Sequence, residues 1–578
     1  MRFILQEYLN SIKEDGELDS FLKRLLISMK FKPLTTTQRG RQYGVDLPAI
    51  GTDDDGIEKL FLFVIKQGNL SRKSWDSGSV TDIRPSITEI LDVYISTRIP
   101  KPLDQLPVKI VVCINGEREQ PVEQNWAQFV NRHTVDGKIE FACWDLFHLV
   151  EKTEKYELNE DLMTPELALN FRRALAFIDL PDYDLAHFHI FLNLLLPATE
   201  SKLLSDRETL RKIRLANLSM SIVHNWCKKN NNLKPAYVAA ERIILMTFNW
   251  IRSNQYNESQ LIISEYYGLI QNWKAINYDY IEKTGKYLMI DESLSLGIGN
   301  FNEYCFLTFE QIGFLSMMGL VEVWEFYIAN QLSNARDDQR VKVAYENAVG
   351  MANLLAQIIA KNPASLNPRY DEHCIEINMG LILLTEAGLF VAAVPWLRQL
   401  IDRLILNVRM AKFFPLTYAN PEKIESQQAQ DQKVSFLAAL LLEWCIVLKQ
   451  FGYYNELRNF LKSDLPKTNL QIWFPDEQTE SFLYTGDASA QSGSAMISIE
   501  FPESPYHLQM LMAEERALLN EEKEFKNSKA GLFFLPFLSS RHYRTYPFPN
   551  SWRNLMASNF CFNLPENNNE SDQSEEAL

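Results

Sequence analysis

"GVDLPAIGTDDDGIEKLFLFVIKQG", residues Gly44 to Gly68, sets two apolar segments around a polar turn. The second segment, "LFLFVIK" (Leu60–Lys66), is a continuous apolar run of strand length. A run without alternation is what a strand buried on both faces requires. Asp46 opens the first segment, and Lys66 ends the second. The aspartates Asp53, Asp54 and Asp55 between them predict a solvated hairpin turn. A lysine closing a strand with no solvent face needs a reason.

The flanking sequence extends this hairpin into a domain. "GELDSFLKRLLISMKF" places Leu18, Phe21, Leu22, Leu25, Leu26 and Met29 on one face of a helix. "KPLTTTQRGRQYGVDLPAI" is β-rich with a glycine-containing turn. After the hairpin, "SVTDIRPSITEILDVYIS" reads as a helix and "PVKIVVCI" as a buried strand. "VEQNWAQFVNRH" (helix), "KIEFACWD" (strand) and "LFHLVEKTEKY" (helix) follow. The order α-β-β-β-α-β-α-β-α predicts an α/β domain over residues 1–155, with a mixed sheet flanked by helices.

Beyond residue 160 the strand signal nearly vanishes, and an α-helical array is expected to residue 465. Thr164 with Pro165 marks one helix start, and Ser205 with Glu208 forms a capping box at another. Amphipathic segments follow near 235–253, 258–275, 308–331, 340–360, 374–386, 389–408 and 432–450. "LILLTEAGLFVAAVPWLRQLI" and "LAALLLEWCIVLKQFGYYNELRNFL" read as helical pairs joined by short glycine-containing turns. They resemble tetratricopeptide-type pairs, without a clean 34-residue period. Residues 466–560 are expected to hold an irregular insertion and a helical, aromatic segment. The acidic stretch 565–578 is expected to be disordered.

The net charge of −16 is uneven. Residues 1–155 carry 21 Lys+Arg and 23 Asp+Glu, a net of −2, so the rest carries −14. This argues against non-specific nucleic-acid binding by the whole chain but leaves room for a local basic surface near the N-terminus. The 7 cysteines form no CxxC pair and sit in apolar surroundings, which points to buried thiols in a reducing compartment, the cytoplasm. No uninterrupted apolar run reaches membrane-spanning length; Glu310, Glu322 and Glu325 break the richest window. No P-loop, GxSxG, HExxH or GxGxxG pattern occurs.

Residues 17–150 resemble the restriction endonuclease-like superfamily, the PD-(D/E)xK nucleases, and most of all the type IV restriction enzymes and related anti-phage nucleases. The likeness rests on the helix "LDSFLKRLLISMKF" with its acid Asp19, on "QYGVDL" with Asp46, and on "LFLFVIKQG" with Lys66. The resemblance implies a metal-dependent endonuclease acting on DNA in anti-phage defence. It implies that Asp46 and the Ile65 carbonyl bind Mg²⁺ or Mn²⁺, that Lys66 serves the attacking water, and that Asp19 reaches the site from its helix. The helical region would then act as a sensor or gate, with a protein partner or self-association. This chemistry is physically coherent, because phosphodiester hydrolysis needs a hard cation on oxygen ligands and a positive charge near the transition state.

One position departs from the family pattern. Val64 stands two residues before Lys66, where the family has Glu or Gln, and valine ligates no metal. Gln67, Glu58 or Glu89 is expected to substitute; otherwise the domain is a degenerate nuclease fold that binds nucleic acid or protein. Arg72, Lys73 and Trp75 in "NLSRKSWD" are candidate contacts for phosphate and base. The same residues also suit an ordinary loop, as Lys66 alone suits a strand-end lysine reaching solvent. "HFH" (His187, His189) reads as helix packing, and "RYDEH" (Arg369–His373) only weakly matches the Arg–His pair of helical ribonucleases.

Overall fold

The computed structural model describes the chain apart from residues 1, 35–42, 102, 157–163, 181–183, 201–203, 257–258, 333–338, 412, 416–433, 474–478, 485–495, 500–502, 519–524, 546–551 and 554–578. Strands β1 (Lys32–Pro33), β2 (Leu47–Thr52), β3 (Glu58–Lys66), β4 (Val108–Ile114) and β5 (Ile139–Trp144) lie side by side in that order. β1, β2 and β3 are antiparallel, whereas β3, β4 and β5 are parallel. The expected mixed sheet is therefore present, and β3 is its central strand. The turn expected between β1 and β2 lies outside the described residues.

Helices α1 (Arg2–Ser11), α2 (Asp19–Ser28), α3 (Arg72–Trp75), α4 (Ile83–Glu89), α5 (Ile95–Thr97), α6 (Gln120–His133) and α7 (Leu146–Tyr156) accompany the sheet. Side chains alternate across a strand, so β3 feeds two cores. Leu60, Leu62 and Val64 pack with Val45, Trp75, Ile83, Ile87, Ile90, Val112 and Trp126. On the other face Phe61 lies 4.7 Å from Phe31 and 6.2 Å from Phe63, which meets Trp144 at 5.2 Å. Burying each phenylalanine contributes roughly 1.5–3 kcal/mol. Both-sided burial is why the sequence shows a run rather than an alternation.

The chain divides into two compact units, one of residues 1–239 and 261–272, the other of residues 240–260 and 273–578. The first holds the sheet together with α8 (Pro165–Phe177), α9 (Ala186–Leu195) and α10 (Asp206–Lys229). Thr164 accepts from the Leu167 amide at the start of α8, and Ser205 and Glu208 complete the capping box of α10. Helices α11 (Lys234–Ser253) and α12 (Gln260–Leu288) run through the division.

The second unit continues with α13 (Phe301–Leu332), α14 (Gln339–Lys361), α15 (Cys374–Glu386), α16 (Phe390–Ala411), α17 (Phe436–Val447) and α18 (Phe451–Asp464). It ends in α19 (Thr479–Phe482), α20 (Pro505–Leu518), α21 (Lys526–Lys529) and α22 (Leu535–Tyr543). Helix α13 is long and apolar enough over Phe301–Asn330 to cross a membrane, yet 78% of its apolar window is buried. Its Glu322 is buried too, held by Lys274 at 2.8 Å and by the Tyr278 hydroxyl at 2.7 Å.

The second unit departs from the sequence reading in two places. Strand β6 (Val434–Ser435), inside the expected helical array, joins β7 (Asn469–Trp473) and β8 (Met496–Ile499), where an irregular insertion was expected, in a small sheet. Their short length gave no readable period. The turn between α15 and α16 does use Gly388, at φ +71°. The turn between α17 and α18 instead places Lys449 at φ +56°, and Gly452 lies inside α18.

Gly44 controls how the chain enters β2. It has φ +81°, and a Cβ there would lie 2.2 Å from the Ser86 carbonyl oxygen in α4. Both conditions require glycine. Gly44→Ala is expected to lower unfolding free energy by about 2–4 kcal/mol, read as a reduced urea midpoint.

Candidate active site

Asp46 sits immediately before β2, at the end of the sheet where β3 finishes. Its backbone amide donates to the Phe63 carbonyl at 2.9 Å, and its Oδ2 accepts from the Ile65 amide at 2.7 Å. The side chain thereby extends the ladder by one bond. Burial raises the Asp46 pKa; the Ile65 amide and the Lys66 charge oppose this, and the Glu14 charge adds to it. Asp46, Lys66 and Glu14 are thus close enough to feel one another.

Lys66 is the last residue of β3, and its Nζ lies 2.6 Å from Glu14 Oε1. Glu14 also accepts from the Gln67 amide at 3.2 Å. It belongs to a single π-helical turn, Glu14–Leu18, between α1 and α2. The acid placed against Lys66 from the helical side is therefore Glu14 rather than Asp19. Asp19 opens α2 five residues later, where its charge bears on the buried Cys113 thiol of β4.

Asn115 fixes this arrangement from below. It follows β4, is fully buried, and accepts from the Gly68 amide at 2.7 Å. Its Nδ2 donates to the Leu9 carbonyl at 2.9 Å and to the Ile12 carbonyl at 2.8 Å. One side chain ties the end of α1, and so the Glu14 turn, to the segment that follows Lys66. Carbonyls at a helix end have no partner within the helix, which makes this bridge effective.

The remaining candidates fall elsewhere. Val64 is completely buried within the apolar core, so it lines no site. Glu58 begins β3, eight residues and roughly 26 Å from Lys66 at about 3.3 Å per residue, and cannot replace the missing ligand. Gln67 is exposed beside Lys66 and lends its amide to Glu14. Glu89 ends α4 and is half-buried. Ile65 contributes its amide, which Asp46 occupies.

Trp75 is 4% exposed and meets Trp126 and Phe129 edge-on, at 5.9 and 5.5 Å. Its ring is core and is closed to base stacking, while Arg72 and Lys73 are exposed. His187 stacks on Phe177. His373 is buried, accepts from the Arg369 amide at 3.0 Å and stacks on Phe309 at 4.4 Å, a structural role. Its neighbour Asp371 caps α17 by accepting from the Phe436 and Leu437 amides. Among the described residues, six cysteines are buried and form no disulfide.

The aspartate turn is more than a solvated loop. Lys59 is 1% exposed, and its ammonium meets Asp53 at 2.8 Å, Asp55 at 2.5 Å and Glu140 at 2.7 Å. Lys109 adds a contact to Asp53 at 2.6 Å. Asp53, Asp55 and Glu140 lie close enough together for a metal ion, but the lysine ammonium stands among them as their cation. Burial works to lower the Lys59 pKa, yet the three carboxylates outweigh it and hold the pKa above its usual value.

The other acidic groups near a strand end that could hold a cation are Glu14 and Asp46, at the finish of β3. Burial raises the Asp46 pKa most, and the Glu14 charge adds a smaller push in the same direction. Compared with protein-family models, curated proteins and solved structures, the chain matches none.

The hairpin cluster gives a pH test. Burial tends to raise the Asp53 pKa, but hydrogen bonds from Lys109 and Lys59 prevail and bring it to about 2. The folded pKa lies below the ordinary 3.8, so this stabilisation is present above pH 4 and fades as pH falls toward 2. Asp53→Asn should therefore be clearly less stable than the parent at pH 6. The gap in urea midpoints should narrow between pH 4 and pH 2.

Proposed function

We propose that the sheet-bearing unit is a nuclease of the restriction endonuclease-like type, hydrolysing phosphodiester bonds in DNA with Mg²⁺ or Mn²⁺. The observation that carries this reading is the convergence of Glu14 and Asp46 on Lys66 where β3 ends. The strand order supports it: a helix, an antiparallel three-strand meander, then parallel strands reached through helices.

When bound, the cation would polarise the scissile phosphate and favour a hydroxide nucleophile. Asp46 and Glu14 would hold it. The Ile65 amide fixes one Asp46 oxygen, leaving the other for ligation. Lys66 is three-quarters buried, so its charge acts through a medium less polarisable than water on a phosphate at the site. Glu14 Oε1 accepts from Lys66 and Oε2 from the Gln67 amide, so Glu14 holds the lysine beside the strand end.

A second reading follows from Val64. A metal ligand is replaced there by a core side chain, and the Lys66–Glu14 ion pair closes on itself. This favours a degenerate nuclease fold that binds nucleic acid or protein. The helical unit acts in either case as a sensing or assembly region, and a role in anti-phage defence rests on architectural analogy.

Cleavage of supercoiled plasmid and of single strands with Mg²⁺ or Mn²⁺ decides between the readings. Asp46→Asn, Glu14→Gln and Lys66→Ala should each lower the rate on the order of 10²–10³-fold with the fold intact. Cleavage that survives all three removes the site. A parent protein that binds DNA but never cuts it establishes the binding module.

A further inference from the structure

Three arginines on three separate elements surround one open groove in the sheet-bearing unit. Arg72 comes from α3, Arg84 from α4 and Arg132 from the last turn of α6. The groove encloses about 430 Å³ and is also lined by Trp75, Asp76, Asn125, Gln128 and Phe129. Only Asp76 opposes the arginines, and it is paired with Arg84 at 2.6 Å. Arg72 makes one hydrogen bond, from Nε to the Pro121 carbonyl at 3.3 Å, which orients its guanidinium without neutralising it. Arg132 is exposed and has no ion-pair partner among the described residues.

This concentration of positive charge is local. The chain as a whole carries −16 and residues 1–155 carry −2, so a groove lined by three guanidiniums and one carboxylate is a local positive patch on an acidic protein. The scaffold under it is rigid. Trp75 packs edge-on against Trp126 and Phe129, which locks α3, the helix of Arg72, to α6, the helix of Arg132. The Ser71–Ser74 capping box fixes the short helix that carries Arg72. Guanidinium groups on a stiff frame lose little freedom when they bind phosphate, and each offers a planar fork of donors suited to its oxygens. Asn125 and Gln128 add neutral amides that serve as donors or acceptors along the wall.

We propose that this groove binds consecutive phosphates of a polynucleotide chain, as a grip separate from the Asp46–Glu14–Lys66 corner. The proposal takes its substrate class from the nuclease reading, but the groove holds nucleic acid whether or not the corner cuts it. An extended polyanion fits better than a small one: the groove is open, the arginines stand on its rim, and no fully buried cation closes around a single ion. The trough reads phosphate and not sequence, because Trp75 is inaccessible to bases. Asp76 holds Arg84 in the empty groove and competes with the incoming phosphate for it.

The test is fluorescence anisotropy of the full chain with a labelled 20-nucleotide DNA, single- or double-stranded, in EDTA over a range of KCl. The parent should bind with an affinity that falls steeply with salt. Arg132→Ala and Arg72→Ala should each weaken binding several-fold and reduce the slope of log K against log [KCl] by about 0.7–0.9. Asp76→Asn should tighten binding several-fold, an effect that general damage to the fold would not produce. Unchanged affinity and slope in the Arg72→Ala/Arg84→Ala/Arg132→Ala protein, with an unaltered melting temperature, overturn the proposal. So does tight binding of inorganic phosphate without binding of the oligonucleotide. Binding that depends on the arginines in a protein that never cleaves DNA upholds the groove and removes the nuclease reading. Cleavage with DNA affinity indifferent to the arginines does the reverse.

Discussion

The structure depends on one constraint: β3 is buried on both faces, so polar chemistry can occur only at its two ends. The strand carries a lysine near each. At the start, Lys59 is enclosed by three carboxylates and is almost wholly withdrawn from water. At the finish, Lys66 meets one carboxylate, has a second nearby, and keeps about a quarter of its side chain exposed. The first arrangement is saturated and serves stability. The second pairs its lysine with a single contacting carboxylate and stays partly open to solvent.

The contrast corrects an intuitive ranking of the acidic groups. Three clustered carboxylates form the more conspicuous candidate for a cation, yet they already have one in Lys59. Removing a partner from such a buried group costs far more than a surface salt bridge contributes. The cluster therefore reads as the means by which a lysine is tolerated beneath a sheet. Its carboxylates come from the hairpin turn and from β5, so it also joins the hairpin to the far side of the sheet.

The fold was legible where burial leaves a period or a run. β3 and β4 showed as apolar runs because helices cover both faces, and the capped helices announced their starts. Asp46 and Lys66 were legible because strand ends bound by Gly44 and Gly68 fix their place. Glu14 was not: four acids lie between residues 14 and 19, and only the π-helical turn decides which one faces the sheet. Asn115 was hidden for another reason. Asn followed by Gly after a strand reads as a turn, and its three bonds reach residues more than 40 positions away in sequence. The short strands β6 to β8 escaped because two to five residues establish no pattern.

Asn115 also changes what the first helix means. Its amide spans α1 and the loop behind Lys66, so α1 is tied to the segment that carries the lysine. A protein shortened by its first fourteen residues would keep every strand, Asp46 and Lys66. It would lose the carboxylate that faces the lysine and leave two amide hydrogens of Asn115 without acceptors in a dry interior. Substitutions that unwind the end of α1 therefore reach the Glu14–Lys66 pair through Asn115.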